Sequence, residues 1–310
     1  YFCLFQYWYY NDVVSLVQTV HKSFPYTFSA VHKSTTQLLG KTKLLYRPGP
    51  CLKGSVLKVM AKMFSQGCLH SKSELDTLHC AVKKANVMDL PQECITCITM
   101  SGVDRILSDC VGATSGGINV PALVLLSKLP LRNTKNVDFL PGIKQLVPRS
   151  LSLCGDGLGP VACTHTTADL GKVYYEPNLL KTFKSWKEQN LNDATKLVKD
   201  LLPQPRAIIM GDLNCGPDEP SRAVKGDFTD SFKQFTRNNY TTPFVRLVGK
   251  CTFCAENTLV PYKDNWNLDH ILLRGHEAKS AKRIFDEPIP GKDYPTSDHY
   301  GIQITIETKD

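Results

Sequence analysis

The chain has 310 residues, 42% of them hydrophobic and 21% charged, which sets it among ordinary globular chains of one large domain or two small ones. Its longest apolar runs, such as residues 122–126, are too short to span a bilayer. The net charge of +8 favours an anionic partner, but the lysines are scattered, which suits solubility better than a dedicated nucleic-acid surface. The sequence opens on Tyr1 with no visible signal peptide, as a processed or incomplete product would.

Residues 1–10 are aromatic and apolar and predict a buried strand. Asn11 and Asp12 then suit a helix cap, and Val13, Leu16, Val17, Val20 and Phe24 follow at helical spacing until Pro25. Residues 34–115 read differently. Cysteines, lysines and short periodic stretches alternate without strand patterns, which predicts a helical insertion. Cys51, Cys68, Cys80, Cys94, Cys97 and Cys110 form an even set suited to disulfides, hence to an oxidising, extracellular setting. Zinc is the rival for Cys94-x-x-Cys97 and Cys251-x-x-Cys254, but neither has a second close pair at the usual spacing. The sequon Asn239-Tyr240-Thr241 agrees with secretion.

After Gly116-Gly117 the pattern turns to β. Residues 122–127 predict an apolar strand, and 150–154 and 160–165 two strands joined by Gly155-Asp156-Gly157-Leu158-Gly159. Residues 179–202 predict the best helix, closed by Pro203 and Pro205. A buried strand at 206–210, a short helix at 230–237, a strand at 268–273 and a final strand through Ile302, Ile304 and Ile306 complete a mixed α/β pattern.

Polar residues of catalytic type stand at the ends of these β-segments. Asp212 and Asn214 are two apart after a buried strand, so they face one side and can hold a water or a hard cation. His165 closes another strand. Asp269 ends or lies within the buried strand expected at 268–273 and needs a partner, for which a histidine is suited. Asp298 and His299 precede the last strand. Each alone reads as a loop or rim residue; four such strand ends together do not read as independent turns.

The order Thr164-His165, Gly211-Asp212-Leu213-Asn214, Asp269-His270-Ile271-Leu272 and Ser297-Asp298-His299 resembles the endonuclease/exonuclease/phosphatase superfamily, whose fold is the DNase I-like four-layer αββα sandwich. The stretch from Cys251-Thr252 to Asn257, followed by Leu268-Asp269, also looks like the secreted neutral sphingomyelinase-like branch, as does Thr164-His165-Thr166. The resemblance implies one such domain over residues 1–310 with the Cys-rich insertion inside it. It implies a metal-dependent phosphodiesterase acting on a phospholipid head group or a nucleic acid. In that scheme His299, oriented by Asp269, is a general base or phosphate-contacting group. Asp212 and Asn214 position the attacking water, and His165 stabilises phosphoryl charge. Asp298 and Asp212 lie at the metal, usually Mg²⁺, and Arg149, Asn214 and His165 reach the substrate.

One position departs. Where the family carries a metal-binding Gln-Glu, this chain reads Gln6-Tyr7, and a neutral phenol is a poor Mg²⁺ ligand. Gln92-Glu93 is a rival placement that Pro91 and the flanking cysteines disfavour, with Glu93 as the ligand if it holds. The family's first strand is also absent. Two other readings follow: a catalytically impaired extracellular binding or structural protein, and a polyanion-binding module supported by charge alone. An exposed N-terminal edge is expected to suit self-assembly or a partner strand.

Overall fold

A computed structural model of the protein describes residues 1–31, 49–70, 73–101, 105–112, 117–169, 182–201 and 203–307. Two compact units emerge. One is drawn largely from residues 1–130 and 140–149, the other from 131–139, 150–169 and 186–307.

In the first unit β1 (Phe2–Leu4), β2 (Tyr26–Ser29) and β3 (Val124–Ser127) form a sheet in the order β1-β3-β2, with β1 at an edge. The aromatic N-terminus is a shorter strand than its composition predicts. Gln6 takes a φ of 65°, which breaks the extended run, and Tyr7 donates its amide to the Ala122 carbonyl. Helix α1 (Tyr10–Val20) follows with Tyr9 as its N-cap; neither Asn11 nor Asp12 caps it. Val13, Val14 and Val17 of α1 pack on Val124 and Leu126.

The Cys-rich stretch is helical: α2 (Lys53–Ser65), α3 (Glu74–Lys84) and α4 (Gln92–Ser101), then a π-helical turn at Ile106–Val111. Three disulfides, Cys51–Cys94, Cys68–Cys80 and Cys97–Cys110, run through a core that includes Val56, Met63, Val87 and Ile95. Cys94 and Cys97 are spent on different disulfides, so that spacing is not a zinc motif. Residues 34–48 of the expected insertion lie outside the described residues.

The second unit carries a five-stranded sheet in sequential order. It comprises β4 (Arg132–Asp138), β5 (Ser150–Asp156), β6 (Gly159–His165), β7 (Ala207–Asp212) and β8 (Asp269–Arg274). Only β6 and β7 are parallel, and α5 (Trp186–Leu201) lies between them in the chain, as a parallel crossover requires. Ala194, Leu197, Val198 and Leu201 of α5 pack on Leu151, Ala162 and Ile209, and Phe232 and Phe235 of α6 (Thr229–Arg237) complete that core. Helix α7 (Pro243–Leu247) is short. Strands β9 (Glu277–Ile284) and β10 (Gly301–Glu307) form a separate two-stranded sheet. The helix expected over 179–202 begins at Trp186 in the described residues.

Candidate active site

The sheet register brings three of the candidate residues abreast. His165 ends β6 opposite Asp212 at the end of β7, and Asp212 stands opposite Asp269 at the start of antiparallel β8. Gly211 makes this approach possible. At its φ of 142° an added Cβ would lie 1.8 Å from the Thr164 carbonyl oxygen, so no side chain fits there. His165 Nε2 sits 3.2 Å from Asp212 Oδ2. The other Asp212 oxygen accepts the Asn214 amide at 2.8 Å, in a turn where Asn214 has φ 45°. The Asn214 side chain donates to the Thr166 carbonyl at 3.0 Å.

His299 arrives from the segment before β10. Its Nδ1 lies 2.7 Å from Asp269 Oδ2. One ligand atom each from Asp212, Asp269 and His299 lie within 4.8 Å of one another. The pairing sequence chemistry expects, a buried Asp269 with a histidine partner, is therefore present. Asp298 is exposed, and its carboxylate accepts the Ser297 hydroxyl at 3.2 Å.

Charge is divided across this cluster. Burial pushes the Asp212 carboxyl up, but the His165 hydrogen bond and charge, the His299 charge and the Asn214 amide outweigh it and hold it at about 2. For His299, burial disfavours the proton, yet the Asp269 charge and hydrogen bond, with Asp212 and Asp298, raise it to about 10. At neutral pH the site thus holds an ionised carboxylate and a protonated imidazole. His270, beside Asp269, takes no part. It is buried with its pKa lowered by desolvation, so its neutral ring donates from Nε2 to the Cys215 carbonyl at 2.9 Å and lies beside Phe232.

Several supporting residues escape a motif reading. Asn190 of α5 donates to Thr166 Oγ1, the Thr167 carbonyl and the Leu213 carbonyl, and Asp193 accepts from Thr167. Their signal is Gln189, Asn190 and Asp193 on the buried face of a helix, polar residues where a core expects apolar ones. Asn257 donates to the Ser297 and Asp298 carbonyls, which fixes the loop carrying His299. Asp227 is pushed up to about 6 by burial and by the Asp169 charge, with Asp212 adding to it. Phe253 stacks 4.8 Å from the His299 ring and also meets Tyr262 and Trp266.

Arg149, Tyr7 and Glu93 belong to the first unit. Tyr7 is half-buried, and burial followed by the Asp12 charge raises its phenol, so it stays neutral. Glu93 is exposed in the first turn of α4, a helix, whereas the family's glutamate stands on a strand.

The model of the Endonuclease/Exonuclease/phosphatase family matches residues 84–299, a span that contains this site, and the chain belongs to that family. Its mixed α/β architecture is the DNase I-like class. No curated protein matches the sequence. Among solved structures, it is similar to the 3′ phosphatase NExo from Neisseria bound to product DNA hairpin, at 11% identity. That match covers 60% of this chain and 75% of that one with a TM-score of 0.45. An endonuclease/exonuclease/phosphatase from Beutenbergia cavernae is 15% identical over 64% of this chain and 49% of its own, TM-score 0.44. TDP2 from D. rerio, complexed with single strand DNA product, is 16% identical over 60% and 72%, TM-score 0.41.

Proposed function

We propose that the protein is a secreted, Mg²⁺-dependent phosphodiesterase whose turnover is weakened by Tyr7. Family membership makes it a protein of the phosphodiesterase, phosphatase and nuclease class. The observation that carries the finer reading is the convergence of two carboxylate–histidine contacts in one cluster, His165 at 3.2 Å from Asp212 and His299 at 2.7 Å from Asp269, with the Asp212 pKa lowered and that of His299 raised. Two groups whose environments push their pKa values apart are the arrangement acid–base chemistry uses.

In this reading Asp212 and Asn214 orient the attacking water and Asp212 draws its proton as the new P–O bond forms, while the ester P–O bond breaks and the leaving oxygen takes a proton from solvent. His299 already carries a proton, so it donates to a non-bridging phosphoryl oxygen; it is not the base. His165 holds Asp212 in place, its Nε2 lying 3.2 Å from Asp212 Oδ2. Carboxylate oxygens suit a hard divalent cation, so the clustered Asp212 and Asp269 fit Mg²⁺ as its holders, whereas Asp298, which the resemblance places at the metal, lies outside that cluster. Once bound, the cation neutralises charge on the phosphoryl oxygens. Tyr7, a phenol that keeps its proton, does not replace the family's glutamate, which supports weakened metal binding.

Phe253 lies against the His299 ring, Tyr262 and Trp266 pack on Phe253, and Lys225 lies over the Trp266 ring. Such rings stack on a nucleobase or receive a quaternary ammonium head group, which supports a nucleic acid or a choline phospholipid as substrate. The disulfides and the exposed Asn239 of the sequon support secretion. The test is hydrolysis of sphingomyelin and of DNA with Mg²⁺ and with EDTA, for this protein beside Tyr7→Glu. Mg²⁺-dependent turnover that rises in the variant supports the proposal. Turnover only in the variant supports the alternative, a binding or structural protein on a silenced site. Silence from both sinks the enzymatic reading.

A further inference from the structure

Thr252 ties together the two segments that supply the His299–Asp269 pair. It is fully buried. Its Oγ1 accepts the amides of Leu268 at 3.0 Å and Asp269 at 3.1 Å, at the start of β8. Its carbonyl accepts the amide of Tyr300, next to His299, at 2.8 Å, and its own amide donates to Trp266 at 2.9 Å. The adjacent Phe253 bridges to both His299 and Trp266 through its backbone and lays its ring against the His299 imidazole. Both partners of the 2.7 Å ion pair are thus hung from one dipeptide.

That dipeptide sits inside the Cys251–Cys254 disulfide. A disulfide that closes so short a loop removes little entropy from the unfolded chain, far less than Cys51–Cys94 with its sequence separation of 43. Its effect is local geometry. Arg283 anchors the same turn to β9. Its guanidinium reaches the Cys254 sulfur at 3.4 Å and the Cys251 carbonyl at 3.4 Å, pairs with Glu256 and Asp286, and covers the Tyr300 ring at 4.4 Å.

We infer that Thr252 is a positioning residue for the His299–Asp269 pair, held in that role by the Cys251–Cys254 disulfide. Its catalytic meaning rests on the phosphodiesterase reading; the positioning itself does not. Without the hydroxyl, two buried amides lose their acceptor, and the start of β8 is freed relative to the segment that carries His299.

The experiment compares the unaltered protein with Thr252→Val, Thr252→Ser and the double variant Cys251→Ala/Cys254→Ala. NMR reads the low-field Nδ1 proton of His299 and the exchange of the Leu268 and Asp269 amides. Thr252→Val is expected to shift or broaden the His299 proton and to speed exchange of both amides by about tenfold or more. Thr252→Ser restores both signals. The disulfide variant moves the His299 proton in the same direction by a smaller amount. Where turnover is measurable, kcat falls by roughly tenfold to a hundredfold in Thr252→Val with KM nearly constant. Leu197→Ala, a destabilising change in the α5 core, leaves the His299 proton in place. An unmoved His299 proton in folded Thr252→Val overturns the inference. If that variant does not fold, the disulfide variant decides alone, and an unmoved proton there overturns it equally. A shifted proton in a protein without turnover keeps Thr252 as a positioning residue and removes the phosphodiesterase reading instead.

Discussion

Replacing Asp269 by Asn should uncouple His299 from its proton. The substitution keeps the shape and removes the charge 2.7 Å from Nδ1. His299 is raised from 6.5 to about 10, against burial, with Asp269 the first cause and Asp212 and Asp298 behind it. An opposite charge this close is generally worth about one to three pKa units, so at 1.36 kcal/mol per unit its loss should cost about 1–4 kcal/mol. The sign follows from linkage. A histidine raised on folding stabilises fully below its unfolded pKa, and that contribution disappears as pH climbs from 6.5 through 10. The stability difference between the protein and Asp269→Asn is therefore largest near pH 6 and closes above pH 10. Urea unfolding across that range measures it. The chain has only eight histidines, so the His299 ring can be followed directly by NMR titration. Its midpoint should fall by about two units. A midpoint that stays within half a unit, or a stability difference that does not vary with pH, would falsify the account of the pair.

Gly211→Ala should cost about 3 kcal/mol or more in thermal unfolding, since its Cβ has nowhere to go beside Thr164 and its φ of 142° disfavours any side chain. His165→Ala removes a main support of ionised Asp212; a carboxyl held at about 2 stabilises above the unfolded value of 3.8 and loses that as pH falls, so acid unfolding should begin at higher pH in the variant. Asp227→Asn should behave oppositely. A carboxyl pushed up to about 6 destabilises the fold as pH rises past 3.8, so the variant should gain about 1 kcal/mol at pH 7 and nothing at pH 3 by urea unfolding. Leu197→Ala, at a fully buried position of the α5 core, should lose about 2–5 kcal/mol in the same assay.

How far the sequence discloses this molecule depends on what carries the signal. Strands β7 and β8 were legible because an apolar run between turn residues has one reading, and Asp212 and Asp269 mark their facing ends. Strand β9 was not: Glu277–Ile284 alternates charged and small residues because it forms half of a two-stranded sheet with little to bury. Strand β4 is hidden for the same reason, lying at the sheet edge with mostly exposed polar residues. The His299–Asp269 contact was inferable, since a buried carboxylate needs a partner. The hub at Thr252 was not, because a threonine between two cysteines carries no periodic or charge signal; its role appears only when three segments distant in sequence meet.

Under the proposed phosphodiesterase reading, the raised pKa of His299 favours the phosphate-contacting role over the base role. As a general base it would need to be neutral at working pH, and its partner would need to hold it only loosely. The structure supplies the reverse: a carboxylate at 2.7 Å, a second anionic residue in the same cluster, and a ring kept protonated to about pH 10. The anionic member, Asp212, remains ionised from about pH 2 upward. A reaction that uses both should therefore show a broad pH plateau through neutrality, with an alkaline fall set by His299 and no acid fall near pH 6.5 from an unprotonated histidine base. Single-turnover hydrolysis between pH 5 and 10 reads this directly. A steep rise in rate with a midpoint near 6.5 would return the base role to His299 and displace Asp212 from it.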